Sequence, residues 1–553
     1  MQRSVIGIGL LLVFCLPAEA GTHKDERWGF KIRVPKGWKS AAMSASEEWI
    51  AAKFIGKREL QAKRGDWYVS EHPQIWVIGF PHARQKERGA KVEDKDGKLT
   101  VSFKNPYKDY KDFVKRESWF VGGGYHFSVE EETEIGGHKV TMYEIKVEKL
   151  TSSPFRIVTW VHHFDDVDFA VQCKILEDHY KSFRKTFRGT LRSLDRIDRK
   201  KALPTGATTG DQIVIGEDES KMTPEERRKA RKDRFNRTLR KEVDALPKGW
   251  YEQRSKHYVA LANADRKFTK RALAHAEAVR SYLDKTFGDI GDDYVPMGIM
   301  RVFATREEES AFAGGTRWTW GYGAEQVLVT QTVGGTDRNW EFEYLSARLT
   351  AQFLSFKNRH LSENMPYWFR EGLKQHMRFA RSKRGRVKIQ PDEYDRQAMK
   401  DIIKEGKAIP LREMFEKGRA QDMTQYQVGS VCSFLLSKGD RGKTKKAVQR
   451  YLANLIEVIE EQEVAYEKER ARIEEEAKKA AEADMGGPVE ESEDEEGEED
   501  EGPSDAEKQF EKLQEAMKTK RDAILAEAFK RTFGSLSDKD WKRLHAQWVK
   551  YAS

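Results

Sequence analysis

The chain has little cysteine, and after its first residues it has no long hydrophobic run. Only three of its 553 residues are cysteine, and Cys173 and Cys432 are the two that follow residue 20. Two cysteines in different predicted domains cannot form the disulfide framework of small exported domains, so we expect two buried thiols. No later stretch has the roughly 20 apolar residues of a membrane-spanning helix. We therefore predict no transmembrane segment after signal cleavage.

Residues 1–20 have the features of a secretory signal. Arg3 gives a basic start, residues 5–16 form a short apolar run, and Ala18 and Ala20 show the spacing of a cleavage site. The run is too short to cross a bilayer as a helix. We expect cleavage after Ala20 and a secreted or periplasmic location in a bacterial envelope.

Charge is unevenly distributed. Residues 484–505 contain twelve acidic residues and no Lys or Arg, so a chain of net charge +9 carries +21 elsewhere. The acidic tract has too few apolar residues to pack, and we predict a disordered insertion. A basic body attracts acidic polymers or nucleic acid. Because Lys and Arg are spread along the chain without a groove-reading motif, no specific nucleic-acid partner is predicted.

An α+β fold with two domains is predicted. In the first domain, residues 21–197, apolar residues recur with the periods of strands and helices. The resulting expectation is a mixed sheet flanked by helices, an α/β/α-type arrangement. The strands are predicted at 74–80, 138–147, 155–163 and 169–174, and the helices at 107–117 and 179–194.

Two segments of this first domain carry a resemblance. Residues 30–38 read Phe-Lys-Ile-Arg-Val-Pro-Lys-Gly-Trp, and residues 182–194 contain Ser-Phe-x-x-Thr-Phe-x-x-x-Leu-x-Ser-Leu. The pattern resembles the Mog1/PsbP-like fold, which implies a binding or adaptor role. His162 and His163 are adjacent on a predicted strand and point to opposite sides, so we interpret them as a strand end before an acidic turn, not a metal site.

Residues 198–245 are predicted to be a linker. A turn-rich stretch is followed by Thr223, a predicted N-cap, and a highly charged helix. A basic helix of this kind binds nucleic acid or acidic membranes in some proteins. Because we see no apolar stripe, we favour a solvated connector.

The second domain is predicted over residues 246–553, with the acidic insertion inside it. Its predicted strands precede most of its helices, which is the order of a thermolysin-like peptidase domain. The strands are predicted at 258–262, 296–303 and 326–330. The helices are predicted at 268–287, 340–356, 366–381, 393–405, 425–438, 506–533 and 539–551.

Two short segments of the second domain carry the most specific resemblance. Residues 347–352 read Ala-Arg-Leu-Thr-Ala-Gln, and residues 368–373 read Trp-Phe-Arg-Glu-Gly-Leu. Their order resembles the gluzincin group of peptidase MA-like (DUF1570-type) domains, in which His-Glu-x-x-His supplies two zinc ligands and the general base. The resemblance implies that Ala347 and Ala351 stand at the two His positions and Arg348 at the base position. Glu371 then stands at the third-ligand position.

These replacements remove the chemistry of a zinc peptidase. Catalytic zinc requires about three protein ligands, and an arginine cannot accept a proton from water at neutral pH. We therefore predict no catalytic residue, no metal site and no cofactor. A rebuilt set of His360, Glu371 and His376 is the alternative, although Glu371 and His376 lie about 140° apart around a helix.

Glu371 would lie in a former metal cleft, where its ionised carboxylate needs a positive partner once the ion is absent. We predict that Arg348 supplies it through an ion pair with Glu371. In the alternative, Arg348 points to the surface and Glu371 caps its own helix.

The leading functional hypothesis is a noncatalytic exported pseudopeptidase that binds a peptide or protein partner. The strand at 326–330 is expected to edge the cleft and to accept an extended chain by strand addition. The alternatives are an active zinc metallopeptidase with non-standard ligands and a structural protein of the cell envelope.

Overall fold

The computed structural model divides the chain into two compact units. The first comprises Met1–Trp250 and Thr305–Thr319, and the second comprises Tyr251–Ala304 and Trp320–Ser553. Residues whose structure is described are 21–43, 47, 49–64, 67–85, 89–95, 98–104, 107–116, 125–147, 155–199, 212–213, 222–291, 295–313, 326–331, 342, 344–358, 361–378, 380–389, 393–417, 423–437, 443–462, 519 and 521–553.

The first unit is built on a seven-stranded sheet of order β10-β11-β12-β13-β7-β4-β3. Every strand pair that the structure describes in this sheet is antiparallel, so the expectation of a mixed sheet is wrong. One of these pairs has a local cause: β10 and β11 are joined by a tight turn at Gly136 and Gly137, both with positive φ, and such hairpins pair antiparallel. The strands of the unit are β1 (Thr22–Asp25), β2 (Phe30–Arg33), β3 (Lys39–Ser40), β4 (Ile50–Ile55), β5 (Leu60–Arg64), β6 (Trp67–Glu71), β7 (Gln74–Pro81), β8 (Gly89–Lys95), β9 (Lys98–Lys104), β10 (Tyr125–Ile135), β11 (His138–Val147), β12 (Phe155–His163), β13 (Val167–Leu176), β14 (Asp195–Arg196) and β15 (Gln212–Ile213).

Both faces of this sheet are covered. Alternate residues of β7 belong to two separate cores, with Val77 in the core beneath Phe187 and Ile78 in the core beneath Phe113. The helices on the two faces confirm the expected flanked sheet. The helices of the unit are α1 (His82–Gln85), α2 (Tyr110–Arg116), α3 (Tyr180–Leu191), α4 (Pro224–Asp244) and α6 (Arg306–Ala313), with a 3₁₀ turn at Glu177–His179.

Helix α4 begins where its sequence predicts. Thr223 and Glu226 form a capping box, which satisfies backbone N–H groups at the helix start. At the other end Leu239 and Glu242 are buried. The expectation of a wholly solvated connector is therefore wrong for the last turns of this helix.

The second unit has a four-stranded sheet of order β16-β17-β18-β19. The last three strands are parallel, and β16 is antiparallel to β17. A hairpin with positive φ at Arg384 and Gly385 joins two further strands. The strands are β16 (Tyr251–Arg254), β17 (Tyr258–Ala262), β18 (Gly298–Phe303), β19 (Gln326–Thr330), β20 (Ala380–Lys383) and β21 (Arg386–Ile389).

Most of the second unit is helical, and its helices share one large core. The predicted helix 366–381 ends earlier, because β20 begins at Ala380. Residues 443–462 and 521–533 are also helical, and the predicted acidic insertion lies outside the described residues. The helices are α5 (Arg266–Phe287), α7 (Leu345–Lys357), α8 (Leu361–Asn364), α9 (Tyr367–Arg378), α10 (Glu393–Lys404), α11 (Leu411–Lys417), α12 (Gln425–Leu436) and α13 (Asp538–Ala552).

Two sequence predictions concern the state of the cysteines and membrane-spanning helices. Cys173 and Cys432 are free and buried, as expected, and burial raises the pKa of both thiols. Within the described ranges, no helix combines the length and the apolarity needed to cross a bilayer.

Candidate functional site

Helix α7, which carries residues 347–352, is buried on most of its surface. Its less covered residues include Tyr344 at the N-cap, then Arg348, Ala351 and Ser355, spaced three or four apart, and Phe356 next to Ser355. That spacing places the first four on one helix face. Ala347 is only 7% exposed, at the border of this face. Ala351, at the second His position of the gluzincin motif, and Arg348, at its base position, therefore face the more open side of α7.

Arg348 bonds to the neighbouring strand. Its Nη1 donates to the carbonyl oxygen of Leu328 in β19, the last strand in the described sheet. The backbone N–H of Gln331 donates to Phe303 in β18 at 2.8 Å, so odd-numbered residues of β19 face β18. The Leu328 carbonyl thus points away from β18. The guanidinium lies on the outward edge of β19.

The other side of α7 is fixed by a buried histidine. His275 of α5 lies between the hydroxyls of Ser346, at 2.7 Å, and Ser382, at 2.9 Å. Burial lowers the pKa of His275 to about 4, so its imidazole is neutral at pH 7. This contact orients the residue directly before Ala347.

Helix α9 shows why residues 368–373 have their sequence. Trp368 is stacked on Phe415 at 4.1 Å between ring centroids. A Cβ at Gly372 would lie 2.5 Å from the Val428 carbonyl oxygen and 2.9 Å from the Cys432 Cβ, so glycine allows α9 to approach α12 closely. Packing alone therefore accounts for the Trp and Gly of this segment.

Glu371 is the half-buried acidic residue of α9. Its carboxylate is 2.8 Å from Nζ of Lys374 and 4.0 Å from Nε of Arg370. Arg348 is not one of these two partners of Glu371, so the predicted Arg348–Glu371 ion pair is wrong. Lys374 lies three residues along the same helix, within reach of Glu371, whereas Arg348 bonds to a strand carbonyl.

His376 does not join Glu371. It is buried, with Nδ1 2.9 Å from the Ser433 hydroxyl and Nε2 3.3 Å from the Tyr282 hydroxyl, and burial lowers its pKa to about 4. His360, the third member of the alternative set, lies outside the described residues. In the described part of the chain, no three His, Cys, Asp or Glu side chains are arranged to hold a metal ion.

The two adjacent histidines of β12 point in opposite directions. His162 is buried between His138, at 2.9 Å, and the Leu191 carbonyl, at 2.8 Å, and desolvation lowers its pKa to about 4. His163 bonds to the Thr141 hydroxyl and the Asp168 carboxylate. This agrees with the interpretation of the segment as a strand end.

Sequence reasoning missed a second histidine on Asp168. Nε2 of His82 lies 3.0 Å from the Asp168 carboxylate, and Nδ1 of His82 lies 3.1 Å from the Asp165 carbonyl oxygen. Despite burial, hydrogen bonds from His163 and His82 hold the Asp168 pKa below its usual value. Only the position of His82, directly after the apolar run of β7, pointed to the end of the sheet.

Comparisons with known proteins give matches in solved structures alone. No protein-family model matches the chain, and no curated protein matches it. The chain is similar to cyanobacterial PsbP (CyanoP) from Synechocystis sp. PCC 6803, with 12% identity and a TM-score of 0.22 over 35% of this chain and 98% of that one. It is also similar to LpqN, involved in cell envelope biogenesis of Mycobacterium tuberculosis, with 9% identity and a TM-score of 0.19 over 30% of this chain and 81% of that one. Similarities at this level carry no conclusion about activity.

Proposed function

We propose that this protein is an exported, noncatalytic pseudopeptidase that binds a peptide or protein partner. In this proposal the second unit is a gluzincin-like domain of thermolysin-like architecture, and the first unit is a Mog1/PsbP-like interaction module. The sequence pattern of residues 347–352 and 368–373 supports the assignment of the second unit. The secretory signal that the sequence predicts at residues 1–20 supports a secreted or periplasmic location.

One observation carries the noncatalytic part of the proposal. Arg348, at the position of the general base, donates a hydrogen bond from its guanidinium to the Leu328 carbonyl oxygen of β19. A residue that donates hydrogen bonds and stays protonated cannot activate water. The neighbouring ligand positions are the methyl groups of Ala347 and Ala351, which cannot bind zinc. Glu371 forms an ion pair with Lys374 of the same helix.

Binding is the function that this arrangement retains. Strand β19 is the last strand of the described sheet and directs alternate backbone groups away from β18. An extended peptide can add to such an edge through main-chain hydrogen bonds.

A single incubation separates this proposal from its rivals. Purified protein is mixed with a library of unstructured peptides, and bound and free peptides are analysed by mass spectrometry together with the zinc content of the protein. We expect retained, uncleaved peptides and substoichiometric zinc. Stoichiometric zinc with chelator-sensitive cleavage would instead establish a metallopeptidase with non-standard ligands. If no peptide is retained, and envelope components are captured only by protein that keeps residues 484–505, the structural alternative is favoured.

A further inference from the structure

We infer that the β20–β21 hairpin is a binding surface for a linear phosphate polymer, which it holds through two cross-strand pairs of cations. The hairpin lies within the second unit, and the inference is independent of the proposed peptide binding. It assigns a second kind of partner, an anionic chain that is bound by its charge.

The outward face of the hairpin carries only cations. Arg381 lies directly opposite Lys388, and Lys383 lies directly opposite Arg386. Directly opposed residues project from the same face of a sheet, and so do residues two apart on one strand. The four side chains therefore form one grid, in which the two pairs are about 7 Å apart along the strands. All four residues are exposed, and residues 380–389 include no acidic residue.

The inward face of the hairpin holds this grid in place. Oγ of Ser382 lies 2.9 Å from Nδ1 of the buried His275 on α5. Val387 and Ile389 pack against the core of the second unit. Because alternate residues point to opposite faces, these contacts commit the four cations to the outward face. The backbone positions of the grid are therefore fixed before a partner binds.

The grid is unfavourable for the hairpin on its own. In the part of the chain that the structure describes, none of the four side chains forms an ion pair or a hydrogen bond. Like charges directly opposite each other destabilise a strand pair. A mixture of Lys and Glu would protect an exposed hairpin from aggregation equally well, and it would add attraction across the strands. An anion lying against the face would replace both repulsions with attraction.

The turn of the hairpin adds a fifth cation at a strained backbone position. Arg384 has a φ of 52° and is followed by Gly385 with a φ of 73°. Among the described residues, Arg384 is the one non-glycine residue with positive φ. A tight turn with positive φ at both central residues favours Asn-Gly, so an arginine there is uncommon. Arg384 is exposed and directly follows Lys383, so it extends the grid to the tip of the hairpin.

The shape and composition of the grid select the partner. The two pairs and Arg384 follow one another along the hairpin, so a chain with regularly spaced charges can meet them in turn. Each pair combines an arginine, whose guanidinium forks onto phosphate oxygens, with a lysine, which binds phosphate as a point charge. The grid includes no aromatic ring to stack on a nucleobase and no apolar side chain to enter a bilayer. A linear polymer that is recognised through its phosphates alone therefore fits the grid best.

The test uses the full-length protein and long-chain inorganic polyphosphate. Binding is measured by calorimetry at several salt concentrations for the wild type and for the grid variant R381Q/K383Q/R386Q/K388Q. Circular dichroism shows whether each protein is folded. If the grid variant does not fold, R381Q/R386Q replaces it and removes one charge from each pair.

A control variant separates the hairpin from the net charge of the protein. K404Q/K446Q/K530Q/K550Q loses the same four charges as the grid variant. The four lysines are exposed and are spread over four helices of the second unit. Any difference between the two variants therefore reports the arrangement of the charges on the hairpin.

Three other occupants are tested on the same surface. A single-stranded oligonucleotide and vesicles of anionic phospholipid each replace polyphosphate in the titration. The third occupant is the chain's own acidic tract, residues 484–505. Acetylation of Lys383 and Lys388, measured by mass spectrometry, is compared between the free wild type, the wild type with polyphosphate and a chain that lacks the tract.

We expect the grid variant to bind polyphosphate about a hundredfold more weakly than the wild type at about 50 mM salt. The control variant should bind within about threefold of the wild type. The slope of log affinity against log salt should fall by about 3 in the grid variant, because four phosphate contacts are lost. Polyphosphate should protect Lys383 and Lys388 from acetylation.

Four results would overturn the inference. The first is no binding of polyphosphate to the wild type, and the second is equal weakening by the grid and control variants, which would show that net charge alone attracts the polymer. The third is tighter binding of the vesicles or the oligonucleotide through the same residues. The fourth is protection of Lys383 and Lys388 in the free wild type that is lost without residues 484–505, which would make the acidic tract the occupant.

Discussion

The two units hold their partly buried carboxylates in different ways. In the first unit, Asp168 on β13 is bonded by His82 of α1 and His163 of β12, so one carboxylate joins three elements. In the second unit, Glu371 is bonded by Lys374, three residues along the same helix. A carboxylate that is hydrogen-bonded to several elements helps to hold those elements together. A carboxylate that is paired within its own helix can be kept when residues on neighbouring elements change.

This contrast explains how the pattern at α9 can persist beside a changed α7. Trp368 and Gly372 are kept by packing against other helices, and Glu371 finds its positive partner locally. The contacts named for these three residues are made with α11, α12 and α9 itself. Under the proposed function, the chemistry of α7 was therefore free to change without loss of the fold.

The largest expected effect separates packing from charge within α9. Trp368→Ala removes a fully buried ring stacked on Phe415, and we expect the second unit to lose about 4 kcal/mol of unfolding free energy. Trp368→Phe, which keeps an aromatic ring, should lose less. Denaturant unfolding monitored by hydrogen exchange measures each unit separately. A loss below about 1 kcal/mol for Trp368→Ala would show that this segment is not held by packing.

Lowering the pH should destabilise the two units by different amounts because of their buried histidines. The first unit has His162, and the second has His275 and His376, each with a pKa lowered to about 4 by burial. Because the unfolded value is about 6.5, the neutral forms give their full stability above that pH and lose it as pH falls towards 4. At pH 5 each of these three histidines should cost about 2 kcal/mol, so their protonation should destabilise the second unit by about 2 kcal/mol more than the first.

Hydrogen exchange at pH 7 and pH 5, corrected for the intrinsic exchange rate, measures this difference. His376→Gln removes one titrating group, and the pH dependence of the second unit should then approach that of the first. Equal acid sensitivity of the two units in the wild-type chain, or an unchanged difference between them after His376→Gln, would contradict the assignment of neutral buried imidazoles.

A smaller effect is expected at the cross-element arginine of the first unit. Arg156 on β12 donates to Glu177 through two nitrogens, at 2.6 and 2.8 Å, and to Glu144 on β11 at 2.7 Å. Arg156→Met should keep the packing and lower the unfolding free energy of this unit by about 1.5 kcal/mol. Thermal and denaturant unfolding check this, and 1 M salt should reduce the wild-type advantage only in part.

The smallest effect is expected at the local pair of the second unit. Lys374→Met should cost less than about 1 kcal/mol, because the pair is formed within one helix and each side chain retains contact with water. The same denaturant experiment applies. If Lys374→Met destabilises its unit more than Arg156→Met destabilises the other, the contrast between the units is reversed and the account of Glu371 is wrong.

The parts of the fold that sequence reasoning predicted are those with strong local signals. Predicted strands 138–147 and 155–163 coincide with β11 and β12, whose long apolar patterns leave little ambiguity. The missed hairpin β20–β21 follows α9 directly, and its turn at Arg384 and Gly385 is short and polar. Such a turn gives little periodic signal, so the predicted helix 366–381 extends into β20.

The candidate site was predictable only to the level of position. The helical period correctly separates His376 from Glu371, because five residues turn the helix by about 140°. The hydrogen bond from Arg348 to a backbone carbonyl of β19 was not predictable, since sequence pattern gives no information about which backbone group a side chain will meet. The same limit concealed the contact of His82 with Asp168.

Zinc binding by a restored motif tests whether α7 is derived from the ligand-bearing helix of a zinc peptidase. The variant A347H/R348E/A351H places two imidazoles and a carboxylate on α7, which packs against α9, the helix of Glu371. R381A serves as an exposed-arginine control. After exhaustive chelation and titration with zinc, calorimetry and metal analysis give the stoichiometry. We predict no specific zinc binding by the wild type or R381A and about one zinc per chain for the triple variant. Stoichiometric zinc in the wild type, or none in a folded triple variant, would contradict the derivation of this site from a zinc peptidase.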